Sequence, residues 1–460
     1  MKQTDPHAIV VVDLAYGDCG KGTIVDYLAA AHGAHTVVRF NGGPQAGHNV
    51  VTPDRRHHTF SQIGSGAFVA GVRTLLSRFT LIEPYAMLNE ARHLAALGVR
   101  EPLAGVSIDR RCAVITPAHQ AANRIREIAR GAGAHGTCGM GVGEAVADTI
   151  ERPELTIRAG ELADRHVVHA KLRAIRDVKY DELRDILDGI TSRHPAADLA
   201  VRTLRDPSWI DAAVDNYAHL AALVALVDEA RVRSILSRPG VTIFEGAQGV
   251  LLDEWVGFHP HTTWSTTTFA NAQTLLAEAG HCARRTRLGV LRCYFTRHGA
   301  GPFVSGADPD MQSRLPEPHN DAGGWQGAFR VGRFDAVAAR YAVAATGPVD
   351  ALAVTHLDRA ARLPAELCTA YEIAGEDDSF FATTLGVATD IRPVDPNDFA
   401  RRRRLTDALR RCRPVFTALS QVTADTFVRA IERELRVPVR LTSAGPTRHD
   451  KHCHPSGWLD

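Results

Sequence analysis

Cysteine is scarce and scattered: eight residues in 460, at positions 19, 112, 138, 282, 293, 368, 412 and 453, with no Cys-x-x-Cys spacing among them. A chain this long needs no disulfide staples, so reduced thiols are expected. No run approaches the roughly 20 apolar residues that a membrane-spanning helix requires. With a start that leads directly into a strand-like segment, this gives an expected cytoplasmic address and no membrane partner. Excess charge of one sign is also missing, since 53 Lys+Arg balance 52 Asp+Glu and leave +1. Such a chain has no bulk field to draw it onto nucleic acid, so any polyanion site has to be local. Neither an internal repeat nor a Gly/Ser- or Pro-rich linker divides the sequence, and residues 1–460 are expected to form one continuous domain.

The remaining composition, 45% hydrophobic and 23% charged, is that of an ordinary globular protein. Residues 9–14 are an apolar, β-branched run, followed by a glycine-rich turn and a helix-like stretch over 23–31, with a second strand at 36–40. Further strands are expected at 241–244, 288–291, 351–354 and 437–441, while residues 196–233 carry helical spacing. The order of elements predicts an α/β fold: a central, mainly parallel sheet wrapped by helices, with a phosphate-loop-like strand–loop–helix near the N-terminus. The segment 305–321 reads as a loop within the domain. The run Arg401-Arg402-Arg403-Arg404 reads as a solvated helix face.

Gly17-Asp18-Cys19-Gly20-Lys21-Gly22-Thr23 lies where backbone N–H groups and a helix N-terminus can cradle phosphate. Against the pattern G-x-x-x-x-G-K-[ST], the first glycine is Ala15 and the magnesium-holding hydroxyl is Gly22. Asp18 offers the hard oxygen that Mg²⁺ then requires. A plain strand-to-helix turn is the alternative for this loop taken alone. A second cluster, Asn41-Gly42-Gly43-Pro44-Gln45-Ala46-Gly47-His48-Asn49, follows the next strand.

Together these segments resemble the adenylosuccinate synthetase family, whose Gly-Asp-Glu-Gly-Lys-Gly-Lys loop and Gly-Gly-x-Asn-Ala-Gly-His-Thr segment both recur here. The differences are Glu→Cys, Lys→Thr, Asn→Gln and Thr→Asn. The resemblance continues, in order, through residues 133–143, 244–253, 296–303, 355–358 and 443–448. It implies a GTP- and Mg²⁺-dependent ligase that phosphorylates the 6-oxygen of a purine nucleotide, IMP or a relative, and then joins an amine to C6. By that resemblance Asp18 is the base that removes the N1 proton, and Lys21 and His48 stabilise the transferring phosphoryl group. Gln248 reads the N1/O6 edge. Gly17, Gly20, Lys21 and Gly22 would hold the GTP phosphates, and Asp358, Ser443, Gly445 and Pro446 the guanine. Asp18 and Gly47 would be the metal ligands. Gln45, Thr137, Cys138 and Thr263 would contact the acceptor, and Arg152 would reach the neighbouring site of a homodimer.

The amine-donor loop departs from the family. Where the family has paired threonines and an arginine-rich run, this chain reads Trp325-Gln326-Gly327-Ala328-Phe329-Arg330, with Gly327 at the position of the carboxylate-binding arginine. Trp325 and Gln326 suit a less charged donor, with Arg330 the surviving cation; equally, they pack locally while Arg330 or Arg333 serves the anion. Aspartate or a replacement is therefore the expected amine. A second class of reading stays open, a catalytically degenerate guanine-nucleotide sensor. The segment His449 to His454 has the composition of a metal cluster, but a polar tail is expected of it.

Overall fold

A computed structural model describes residues 5–190, 195–280, 284–306, 309–317, 320, 325–374 and 377–455. Its centre is a ten-stranded sheet. The strands are β1 (Pro6–Asp13), β2 (Thr36–Arg39), β3 (Arg73–Leu76), β4 (Val106–Asp109), β5 (Ala225–Val227), β6 (Gly240–Glu245), β7 (Arg284–Arg292), β8 (Ala351–Thr355), β9 (Val439–Ser443) and β10 (Lys451–Cys453). They lie in the order β10-β9-β8-β7-β1-β6-β2-β3-β4-β5. Every pairing is parallel except the β9–β10 edge. The expected α/β fold with a mainly parallel sheet is the fold found.

β1 sits mid-sheet because its run of Ile9, Val10, Val11 and Val12 is apolar on both faces, as a strand covered on both sides must be. Helix α1 (Lys21–Ala31) leaves β1 through the 14–20 loop, and the β6 and β2 strands beside it bring their own C-terminal loops to the same edge of the sheet. Ligands in open α/β sheets bind outside the carboxyl ends of the strands, and this edge is where the chemistry-bearing loops converge.

Four sequence expectations change. The 196–233 stretch is not continuously helical: helices Pro195–Arg205, Ile210–Leu223 and Glu229–Leu236 are interrupted by β5, and β3 and β4 were also not expected. Strands of three or four residues are too short for their periodicity to be told from a helix. The 305–321 segment contains a short helix, Pro309–Arg314; residues 307, 308, 318, 319 and 321 lie outside the described residues. The 449–454 segment is no loose tail, because β10 pairs with β9 and the Cys453 sulfur lies 3.2 Å from the Tyr27 hydroxyl. No His/Cys/Asp/Glu group able to hold a metal is found among the described residues, nor is a helix long and apolar enough to cross a membrane. Arg402, within the four-arginine run, is buried and donates to the carbonyls of Pro396 and Glu254, so that helix face is solvated only in part.

Candidate active site

The 14–20 loop is built around a carboxylate that, in sequence, is only the end of a strand. Asp13 Oδ1 accepts from the amides of Ala15 (2.9 Å) and Gly17 (3.2 Å), and Oδ2 from the Cys19 amide (2.9 Å) and Lys21 Nζ (3.0 Å). Lys21 Nζ also donates to the Gln248 carbonyl at 2.8 Å. Gly17 and Gly20 have φ of 89° and 84°, a backbone region that favours glycine, and Asp18 itself stands at φ 61°. Helix α1 is preceded by Gly20 at its N-cap, with no side-chain cap and no acidic residue in its first turn. Its first N–H groups are thus left for an anion, and the dipole favours one there.

Asp18 is held at both ends. Its carbonyl accepts from Arg292 Nε, and its Oδ2 lies 3.1 Å from His298 Nε2. Burial pushes the carboxyl up, but the His298 hydrogen bond and the charges of His298, Arg292 and Lys21 outweigh it and hold it below the ordinary carboxylate range. Arg292 in turn donates to Glu317 (2.7 Å), which also accepts from Tyr294 (2.7 Å) and from Arg359 (2.7 Å), the neighbour of Asp358.

The 47–48 segment rests on the loop. A Cβ on Gly22 would lie 2.8 Å from the His48 Cβ, so the loss of the usual hydroxyl at position 22 is what admits the histidine. His48 Nδ1 donates to Glu245 at 2.6 Å, and Glu245 further accepts from the Ser65 amide (3.0 Å) and hydroxyl. Burial opposes its charge, but His48, Arg39 and Ser65 together hold Glu245 down to about 2. Gln45 Nε2 donates to Gln248 Oε1 at 3.3 Å, which joins the second cluster to the 246–249 turn, and Asn41 and Ser265 brace the same junction.

On the other side, Thr355 Oγ1 donates to the Cys19 carbonyl at 2.8 Å and Thr23 Oγ1 to the Pro446 carbonyl at 2.9 Å. These bonds place the ends of β8 and β9, with exposed Asp358, beside the phosphate loop. Ser443 Oγ donates to the Gly445 carbonyl at 3.2 Å, and Lys451 Nζ to the same carbonyl at 2.8 Å. The Gly17, Gly20, Lys21, Gly22, Asp358, Ser443, Gly445 and Pro446 set is therefore one contiguous rim.

The residues expected on the acceptor side are brought together less openly. Trp325 packs on Gly139, where a Cβ would lie 3.0 Å from the ring, and the Gln326 carbonyl lies against Gly136 and Gly299. Thr137 and Cys138 thus adjoin the 325–327 segment, and Trp264, beside Thr263, packs on Gly143. The amides of Gly136 (2.9 Å) and Thr137 (3.1 Å) already donate to the Glu127 carboxylate, and Asn123 Nδ2 donates to Thr137 Oγ1 at 3.2 Å. Burial pushes the Cys138 thiol up, so it remains a weak neutral donor.

Two expected contacts look different in three dimensions. Arg152 is engaged within its own chain, donating to Asp148 at 3.1 Å and pairing with Glu182 at 3.0 Å. Arg330 donates through Nη2 to the carbonyls of Gly299 (2.6 Å) and Gly301 (3.2 Å), its Nε is buried without a partner, and no carboxylate among the described residues pairs with it. It ties the 299–301 turn to its own strand. Arg330→Ala is accordingly expected to cost about 1–3 kcal/mol of stability, read from the denaturation midpoint.

Asp13, Glu127, Glu245, Arg292 and His298 are not singled out from sequence, although Glu245 lies inside the 244–253 segment and His298 inside 296–303, and those are the available signals.

Comparison with known proteins gives one consistent result. The family model for adenylosuccinate synthetase matches residues 10–452. The adenylosuccinate synthetase of Desulfovibrio desulfuricans is 30% identical over 443 residues, covering 95% of this chain and 98% of that one. That of Neisseria gonorrhoeae is 29% identical over 461 residues, covering 96% and 97%. Among solved structures, fully ligated adenylosuccinate synthetase from Plasmodium falciparum superposes with a TM-score of 0.74 at 19% identity, over 97% of this chain and 99% of that one. Cyanophage S-2L succinoaminodeoxyadenylate synthetase, bound to dGMP and dATP as an energy donor, gives 0.61 at 19% identity, over 98% and 96%.

Proposed function

Because this chain belongs to the adenylosuccinate synthetase family, it is a GTP- and Mg²⁺-using ligase that forms a carbon–nitrogen bond, and we propose that Asp18 is its base, Lys21 and His48 its phosphoryl-transfer electrostatics and Gln248 its reader of the purine edge. The observation that carries this reading is the state of Asp18. It is held ionised, one carboxylate oxygen is fixed by His298, and no protein donor among the described residues reaches the other.

A 6-oxopurine keeps its oxygen in an amide-like carbonyl that an amine does not displace at neutral pH. Removal of the N1 proton by the Asp18 carboxylate raises electron density on O6, which attacks the γ-phosphate of GTP in line. Charge builds on the β–γ bridge and the transferred group, where Lys21, His48 and the open amides of α1 stabilise it. The amine then displaces the phosphate at C6. Mg²⁺, when bound, neutralises the phosphoryl oxygens. The Asp18 carboxylate and the Gly47 carbonyl, on the segment that rests against the loop, are hard oxygens suited to hold it. Asp358 pairs with guanine N1–H and its exocyclic amine, with Ser443, Gly445 and Pro446 around it, and Thr137, Cys138 and Thr263 face the acceptor phosphate. Incubation with GTP or ATP, an IMP, GMP or deoxynucleotide acceptor and an amine panel tests this directly. GDP release that depends on acceptor supports it, and none with any purine nucleotide overturns it.

The amine is proposed to be a weaker fit for aspartate than in the family at large. With Trp325, Gln326 and Gly327 in place of the arginine fork and Arg330 tied to carbonyls, a second carboxylate finds no bidentate cation. Against aspartate, asparagine, alanine and ammonia in competition, mass spectrometry of the nucleotide product is expected to show aspartate losing its usual dominance. Efficient use of aspartate would mean that another arginine does the binding.

A cytoplasmic homodimer completes the proposal. Ile150, 69% exposed on the helix that ends at Arg152, supports a covered face there. Arg152 would exchange Asp148 and Glu182 for the neighbouring site.

A further inference from the structure

His298 closes the short strand Phe295–His298, which pairs antiparallel with Phe329–Gly332 and sets His298 opposite Phe329. The two rings meet edge to face at 4.7 Å, which fixes the plane of the imidazole. Its Nε2 then lies 3.1 Å from Asp18 Oδ2 and 3.2 Å from Asn320 Oδ1. Both partners are oxygen acceptors, so Nε2 is the nitrogen that carries hydrogen, and its one N–H is shared between them, hydrogen-bonded to Asn320 Oδ1 with Asp18 Oδ2 in ion-pair range.

The Asp18 backbone is separately fixed, at φ 61° and with its carbonyl on Arg292. One bond to Oδ2 is therefore enough to select the rotamer and leave Oδ1 as the free oxygen. Without it, a short carboxylate in an open loop turns among staggered rotamers.

We propose that His298 is the positioning residue of the base: through Nε2–H it aims the Asp18 carboxylate at the purine, acting on the reaction only through Asp18. The proposal rests on Asp18 being the base. A misaimed reacting group costs up to about 10²-fold in rate while binding contacts survive.

Two substitutions separate this from a packing role. His298→Phe keeps a ring against Phe329 and removes the donor; His298→Gln gives up the ring and keeps an amide donor at a similar reach. The expected result is a kcat about 10–10²-fold lower for His298→Phe, KM values for GTP and acceptor within about threefold of the parent, and a kcat substantially recovered in His298→Gln. Thermal unfolding and GTP affinity, measured on both, show that each variant folds. If His298→Phe turns over like the parent, or if it outperforms His298→Gln, the ring's packing is its whole role and the proposal is overturned. Full activity in Asp18→Asn would instead overturn the base assignment itself, so the two failures are distinguishable.

Discussion

Asp18→Asn is expected to lower turnover by about 10²–10⁴-fold, the range a lost general base commands, while GTP affinity stays within a few-fold of the parent. The separation follows from where the phosphate cradle comes from. Asp13, not Asp18, organises the loop amides and Lys21, and helix α1 starts at Lys21 with Gly20, not Asp18, at its N-cap. Asparagine is nearly the same size and can still accept from His298, so the local fold survives. What it lacks is a site for the N1 proton. Single-turnover transfer from labelled GTP measures the step without product release, and fluorescence titration with a GTP analogue measures the affinity. A parallel loss of both would place Asp18 in the nucleotide cradle and remove it from the chemistry. Asp13→Asn is the useful contrast, because it removes the charge that pairs with Lys21 and one of the two oxygens that organise the loop amides, and should lose affinity as well as rate.

Much of this site could be read from the chain because its parts are local. A β-branched strand, a glycine-rich turn and a helix start lie within twenty residues, so Gly17, Asp18, Gly20 and Lys21 announce a phosphate loop before any tertiary contact is known. The parts that stayed hidden are those whose meaning is a partner far away in sequence. His298 lies 280 positions from Asp18, and only the meeting of the 295–298 strand with the β1 loop gives it a role. Asp13 reads as the last residue of a strand until its side chain turns back over the loop. Arg152 and Arg330 show the same limit from the other side, because a sequence does not show that Asp148, Glu182 and two backbone carbonyls take donors from them. The histidine-rich 449–454 segment looked like a tail, although antiparallel pairing with β9 makes three of its residues the sheet's edge.

Glu245→Gln should produce the largest loss of stability of any single change at the site, about 3 kcal/mol or more, together with a fall in kcat. Glu245 is fully buried and receives the His48 Nδ1–H and both Ser65 donors with Arg39 nearby. Burial pushes the His48 imidazolium below its ordinary range, so the loss is that of a buried carboxylate facing three donors: each donor left unsatisfied costs about 1–3 kcal/mol, and the amide that replaces the carboxylate turns an N–H₂ toward them. The pH dependence gives the sharper check. The folded carboxyl sits at about 2, below its ordinary 4.5, so the folded state binds its proton less readily than the unfolded one. Its contribution is therefore fully present above about pH 4.5 and is lost as pH falls toward 2. The parent's denaturation midpoint should drop steeply across that window, and the Glu245→Gln midpoint should start lower at neutral pH and fall less steeply between 4.5 and 2. His48 loses its anchor in the same variant, so phosphoryl transfer should slow while Lys21, which is tied to Asp13 and Gln248 instead, keeps its place in the loop and GTP affinity should change little. Equal acid slopes for parent and variant would mean that Glu245 is protonated in the folded protein, and that His48 is oriented by hydrogen bonding alone.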